Sequence, residues 1–271
     1  MPMRQVCWIG IATAFFCHAA TLNPQWTLRN APTRLNGDNT CSAPSQVVVS
    51  GGRLTLTLEE KAISCTDPSG TINATAAGAL LLSELFSFTY GTVEFRMQMP
   101  PVPVNNSHHW PWAAVWLFGT DCLDELVAGT GSCASATYRE FDIAEIMVDS
   151  VAAYDSRSIW VGNPVQGLGS CNAQPVLTGW HTYTLEWTAG LAIFKIDGST
   201  ICTVTSANVP SAPMFIIIDL VNKPTGSANL DYPVTLQLDY IRVTQNGTVI
   251  FRDEFNDPTM VRGSAVVGSV Q

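Results

Sequence analysis

Three carboxylates fall within six residues, Glu140, Asp142 and Glu145, in the strand-like run Glu140-Phe141-Asp142-Ile143-Ala144-Glu145-Ile146-Met147. Two carboxyl groups that face each other can divide nucleophilic and acid/base work. Cleavage of a glycosidic bond asks for such a pair, one group to attack and one to protonate the departing oxygen. The spacing decides whether they can meet. In a flat strand Glu140 and Asp142 share a face, but Glu145 would point among Phe141 and Ile143, where a lone carboxylate is costly. One extra residue, a β-bulge near Ala144, returns Glu145 to the face of Glu140 and Asp142 and leaves Phe141, Ile143 and Ile146 for a core. Glu140 and Glu145 are then still roughly 13 Å apart along the backbone, so a curved sheet and inclined side chains must bring the carboxyls together. Standing alone, Glu-x-Asp-x-x-Glu also describes a solvated acidic face, and the surrounding elements have to discriminate.

Those elements read as an all-β sandwich. Short alternating segments recur with Gly, Pro, Asn and Ser between them, and no long stretch holds a helical period after the first 20 residues. Leu54, Leu56 and Leu58 fall on one face of a strand. Val93, Phe95, Met97 and Met99 alternate with Glu94, Arg96 and Gln98, and His181, Tyr183, Leu185 and Trp187 with Thr182, Thr184 and Glu186. Phe194 to Gly198 runs into an Asp-Gly turn. Phe215 to Val221 is nearly continuous Ile and Leu, the pattern of a central strand, broken by Asp219, which reads as a polar cap or bend at the strand's end. The stretches Pro100 to His109 and Asp121 to Tyr138 are long enough to border a binding site.

Composition narrows the partners. A net charge of -9 with 13 Lys and Arg spread without a cluster offers nothing to nucleic acid or anionic lipid, whereas a neutral sugar polymer tolerates it. Residues 1–20 read as a signal peptide: Arg4, an apolar run from Val6 to Cys17, then Ala19 and Ala20. The run is well short of the roughly 20 residues that span a bilayer, so a secreted protein without an anchor is expected. Beyond it remain Cys41, Cys65, Cys122, Cys133, Cys171 and Cys202, an even set for disulfides. Pairing in chain order would staple three loops, with free buried thiols as the alternative. None is spaced as Cys-x-x-Cys, which disfavours zinc.

The chain resembles glycoside hydrolase family 16, particularly laminarinase-like members with a bulged Glu-x-Asp-x-x-Glu strand. Five blocks follow the family's order: GRLTLTL (52–58), FTYGTVEFRMQMP (88–100), WAAVWLFGTD (112–121), REFDIAEIM (139–147) and WHTYTLEWTAGLAIFKIDG (180–198), with LDYIRV (238–243) similar to its closing strand. The resemblance implies a β-jelly-roll with an open concave cleft and a polysaccharide substrate hydrolysed with retention. It assigns Glu140 as nucleophile, Asp142 as the residue that hydrogen-bonds and tunes it, and Glu145 as general acid and base. Trp112 and Trp116 match tryptophans of the family's cleft. Arg96, on its strand's polar face, is a candidate for a further groove contact, with a solvated arginine as the alternative. Trp160 stands where the family commonly has a His; it is a candidate stacking surface in the cleft or a sign of shifted substrate preference, with a buried tryptophan as the alternative. The resemblance implies no cofactor for catalysis but a structural calcium, for which Gly52 and Asp239 are the matching positions, too few by themselves for six to eight ligands.

One departure concerns order. The family usually begins with a strand containing Asp-Glu-Phe-Asn, and here Asp253-Glu254-Phe255-Asn256 follows the normal last strand. A single catalytic domain over 21–271 is expected, its first-strand motif permuted to 249–257, with the start of a second module as the rival. A monomeric endo-acting hydrolase of β-glucan, 1,3-β-glucan above others, is the reading that absorbs most of these features. Its alternatives are a transglycosylase on the same fold and a non-catalytic β-glucan-binding protein.

Overall fold

The computed structural model describes residues 26–28, 40–67, 70–99, 111–122, 138–148, 153–161, 166–222 and 233–256. The expected signal peptide, the Pro100 to His109 stretch and most of the stretch ending at Tyr138 lie outside them. The strands are β1 (Thr27–Leu28), β2 (Thr40–Ser42), β3 (Val47–Ser50), β4 (Arg53–Asp67), β5 (Gly70–Leu82) and β6 (Gly91–Gln98). There follow β7 (Pro111–Gly119), β8 (Arg139–Val148), β9 (Ala153–Val161), β10 (Gln166–Pro175) and β11 (His181–Thr188). The last five are β12 (Leu191–Ile196), β13 (Ser199–Thr205), β14 (Met214–Asn222), β15 (Val234–Gln245) and β16 (Thr248–Asp253).

These strands form two layers. One runs β10-β9-β8-β7-β14-β5, the other β4-β15-β6-β11-β12-β13, and β4 pairs with β5 to join them. Ladders are antiparallel apart from the short β2–β5 contact. Alternation places Leu54, Leu56, Leu58, Val93, Phe95 and Met97 of one layer against Val115, Leu117, Phe141 and Ile146 of the other, all buried in one cluster. Each such side chain contributes about 1.5–3 kcal/mol of burial, the main force holding the layers face to face. The Asp-Gly turn joins β12 to β13, with Asp197 and Gly198 both at positive φ (49° and 78°), as a tight hairpin turn demands.

β14 is buried at every position. Its even residues enter the cluster between the layers, while Phe215 and Ile217 join a second cluster with Leu80, Leu82, Ala114, Trp116 and Phe118 on the other side of the same sheet. That second apolar floor explains why the run carries no alternation. Disulfides Cys41–Cys65 and Cys171–Cys202 follow chain order; Cys122 is also disulfide-bonded, and Cys133 lies outside the described residues.

At the C-terminal side, β16 pairs with β15 and sends Phe251 into the main cluster with Phe255. Trp26, from the start of the described chain, packs edge-on against Phe251 and donates from Nε1 to Asp253 at 2.8 Å. Residues 248–255 therefore build onto the same sandwich.

Candidate active site

β8 is central to its sheet, between β7 and β9. Against β7, Glu140 lies opposite Phe118, Asp142 opposite Trp116, Ala144 opposite Val115 and Glu145 opposite Ala114. Against β9, Asp142 lies opposite Ser158 and Glu145 opposite Ser156. Ile143 and Ala144 thus share the single β9 position Arg157, which is a β-bulge. The extra residue resets the alternation, so Phe141, Ile143, Ala144 and Ile146 all enter the interior cluster. The three carboxylates share the outward face: Ser156 donates to Glu145 at 2.9 Å, and Ser158, two residues along on the same face of β9, makes a short hydrogen bond to Asp142.

Glu140 sits in an environment that disfavours its charge. Burial pushes its pKa up, the hydrogen bonds from Tyr138 and Asp142 pull it down, and the charges of Glu145 and Asp219 push it up again, leaving it at about 7. Tyr138 Oη donates to Glu140 Oε2 at 2.5 Å, with its ring edge-on to Phe118. Tyr138 escaped the sequence reading although its place two residues before Glu140 is the signal for a shared strand face.

Asp219 is not at a strand end. It sits within β14, opposite Ala114 on one side and Leu80 on the other, only 4% exposed, and accepts a 2.7 Å hydrogen bond from Trp116 Nε1. A partner for its carboxylate lets it stay inside an apolar strand. Trp116 is itself 5% exposed, packed with Phe118, Phe215 and Ile217 on the face that carries Asp142, and its polar edge holds Asp219. Trp112 is half-buried further along β7, opposite Met147 on the face that carries Ala114 and Trp116. Trp160 pairs in register with Glu140; its side chain lies outside the described residues.

Arg96 is elsewhere. Its neighbours Phe95 and Met97 fill the interior from the opposite layer, so Arg96 points to that layer's outer surface, across the whole core from the carboxylates. There it pairs with Asp239 at 2.6 Å and lies over the Trp180 ring, 5.1 Å from its centroid. The assignment of Arg96 to the groove is corrected accordingly: alternation identifies its face but not the layer.

The two calcium candidates, Gly52 and Asp239, have close side-chain neighbours. Asp239 spends its carboxylate on the Arg96 guanidinium, and Gly52, at φ +72, faces the side chain of Asn256 so closely that a Cβ would stand 2.1 Å from Oδ1. Among the described residues no group of three His, Cys, Asp or Glu side chains could hold a metal ion.

A two-layer β sandwich with paired glutamates on a bulged strand is an arrangement suited to glycoside hydrolysis. Residues 36–241 match Glycosyl hydrolases family 16, and the chain belongs to that family, whose fold is the jelly roll. Among solved structures it is similar to LamAcat from Zobellia galactanivorans, with TM-score 0.68 at 20% identity over 84% of this chain and 94% of that one. It is also similar to the laminarinase catalytic domain from Thermotoga maritima MSB8, with TM-score 0.62 at 20% identity over 82% and 92%. The endo-β-1,3-glucanase from Pyrococcus furiosus superimposes with TM-score 0.64 at 20% identity over 82% and 89%. At these identities the likeness is one of fold. No curated protein matches the sequence.

Proposed function

We propose that the chain is a secreted, retaining endo-β-glucanase that hydrolyses internal bonds of a neutral β-glucan, 1,3-β-glucan above others. The observation that carries this reading is the bulge at Ile143–Ala144, which sets Glu140 and Glu145 on one face of β8. Membership of family 16 and the laminarinases among its structural neighbours support it. Secretion is supported by the disulfides, which persist in oxidising compartments.

In the first step the Glu140 carboxylate attacks the anomeric carbon as the glycosidic C–O bond breaks, and Glu145 gives its proton to the departing oxygen. In the second, Glu145, now a carboxylate, takes a proton from water. The water oxygen attacks the same carbon and releases Glu140. Asp142 and Tyr138 favour the ionised nucleophile through their hydrogen bonds to it. Ala114, opposite Glu145, leaves room where a larger side chain would crowd the acid. Trp112 and Trp160 are proposed to stack on sugar faces and Trp116 to shape the floor below them.

The test is release of reducing ends from laminarin, lichenan, agarose and carrageenan by the purified protein, with Glu140→Gln and Glu145→Gln as controls. Cleavage of laminarin with retained anomeric configuration, abolished in both variants, is the expected result. Unchanged turnover in Glu140→Gln would overturn the reading.

A further inference from the structure

Behind the carboxylates, the interior face of β9 carries two side chains of opposite charge for which the proposed chemistry has no direct use. Asp155 and Arg157 alternate with Ser156 and Ser158, so they point between the layers, and both are 0% exposed. Arg157 Nη2 donates to Asp155 Oδ2 at 2.6 Å. Its guanidinium lies over the ring of Tyr183 in the facing layer, 5.5 Å from the centroid, and that ring stacks on Phe95. Burial pushes the Asp155 pKa up, while Arg157, the Tyr183 hydroxyl and the backbone N–H of Glu145 pull it back.

Stability offers no reason for such a pair. Buried ion pairs are commonly matched or bettered by apolar residues of the same volume, and here Arg157 Nε and Asp155 Oδ1 are both buried without a hydrogen-bond partner among the described residues. Location offers one. Arg157 is the β9 residue faced by both Ile143 and Ala144 at the bulge, and Asp155, next in line on that interior face, lies opposite Ile146 and directly flanks Ser156, the register partner of Glu145. A bulge is a register that can slip, and a slip of one residue would turn Glu145 into the core.

We propose that Asp155, Arg157 and Tyr183 form a brace that locks the β8 bulge from behind and thereby holds Glu145 in place beside Glu140. They are positioning residues, and the inference rests on the acid/base role proposed for Glu145. Loss of the brace misplaces the proton donor and leaves the nucleophile and the sugar contacts where they are. The signature is therefore dependence on the leaving group, because an activated aryloxide departs without a proton.

The experiment compares the double variant Asp155→Leu/Arg157→Met, and Tyr183→Phe, with wild type on laminarin and on the dinitrophenyl β-glycoside of laminaribiose. Amide hydrogen exchange at Glu145 is followed in parallel. Expected for the double variant is an unchanged or higher Tm, kcat/KM on laminarin lower by ~10–100-fold, and a loss of kcat/KM under ~3-fold on the aryl glycoside, whose first step needs no proton. Exchange at Glu145 should accelerate relative to amides of β14. Tyr183→Phe keeps the ring, should show the same pattern more weakly, and decides the matter if the double variant does not fold. Wild-type kcat/KM on laminarin, or equal losses of kcat/KM on both substrates, with Glu145 protection unchanged, overturns the brace. If wild type cleaves neither substrate, the glucanase reading fails and the exchange comparison alone judges the brace.

Discussion

β6 and β8 carry the same kind of pattern, apolar residues inward and charged residues outward, yet they produce opposite electrostatics. On β6 each charge meets its opposite: Glu94 pairs with Arg242 at 2.6 Å and accepts from Tyr240, and Arg96 pairs with Asp239. On β8 the outward charges are all negative and take hydrogen bonds from the hydroxyls of Tyr138, Ser156 and Ser158, with the Asp219 carboxylate near enough to push on Glu140. One strand ends as a neutralised outer surface; the other holds Glu140 in an environment unfavourable to charge. A pKa displaced by burial and by like charge marks a group arranged for chemistry rather than for stability.

The sharpest way to break this contrast is to neutralise Glu140. Glu140→Gln should lower kcat/KM on laminarin by ~10³-fold or more, measured by reducing ends, because no glycosyl ester can form. It should also stabilise the fold. A carboxyl held at about 7 in the folded state and at 4.5 when unfolded keeps its proton longer in the fold, so stability falls as pH rises through that window and stays low above it. The variant escapes that loss. Its gain, on the order of 2 kcal/mol, should appear as a higher Tm at pH 8 and vanish near pH 4. For β6, Arg96→Ala should produce neither effect.

How much of this was legible beforehand depends on the range of the contacts. The leucines of β4, the alternation of β6, the Asp197-Gly198 turn and the bulge in β8 are set by residues within a few positions of each other, and period and turn chemistry expose them. Asp219 was misread because a carboxylate in an apolar run looks like a strand end. Its partner Trp116 is 103 residues away and comes beside it only when β7 and β14 pair. Arg96 was misassigned because alternation says which side of a strand a residue takes and nothing about which layer the strand joins. The Asp155–Arg157 pair carries no local signal, since the pairing of β9 with β8 is what makes it interior.

Next in size are the effects on the acid limb of activity. Glu140 must be ionised to attack, so kcat/KM should fall as pH drops below about 7. Tyr138→Phe removes a hydrogen bond that favours the carboxylate, which should move that limb upward by about one pH unit with the fold intact. Asp219→Asn removes a repelling charge while leaving an oxygen for Trp116 Nε1, and should move the limb down by about half a unit or less. Opposite shifts from two neighbours of one carboxyl would locate the titration on Glu140; a limb that ignores both changes would place it on another group.

The smallest effect belongs to the outer surface of the other layer. Arg96 and Asp239 are each more than a third exposed, so their attraction is screened by water, and exposed pairs of this kind contribute ~0–1 kcal/mol. Arg96→Ala should therefore leave kcat and KM on laminarin unchanged and shift Tm by only a few degrees, part of it from lost packing of the side-chain stem on Trp180. A large loss of activity in this variant would mean that sugar also binds on the β6 layer, and the division between a neutralised face and a working face would have to be redrawn.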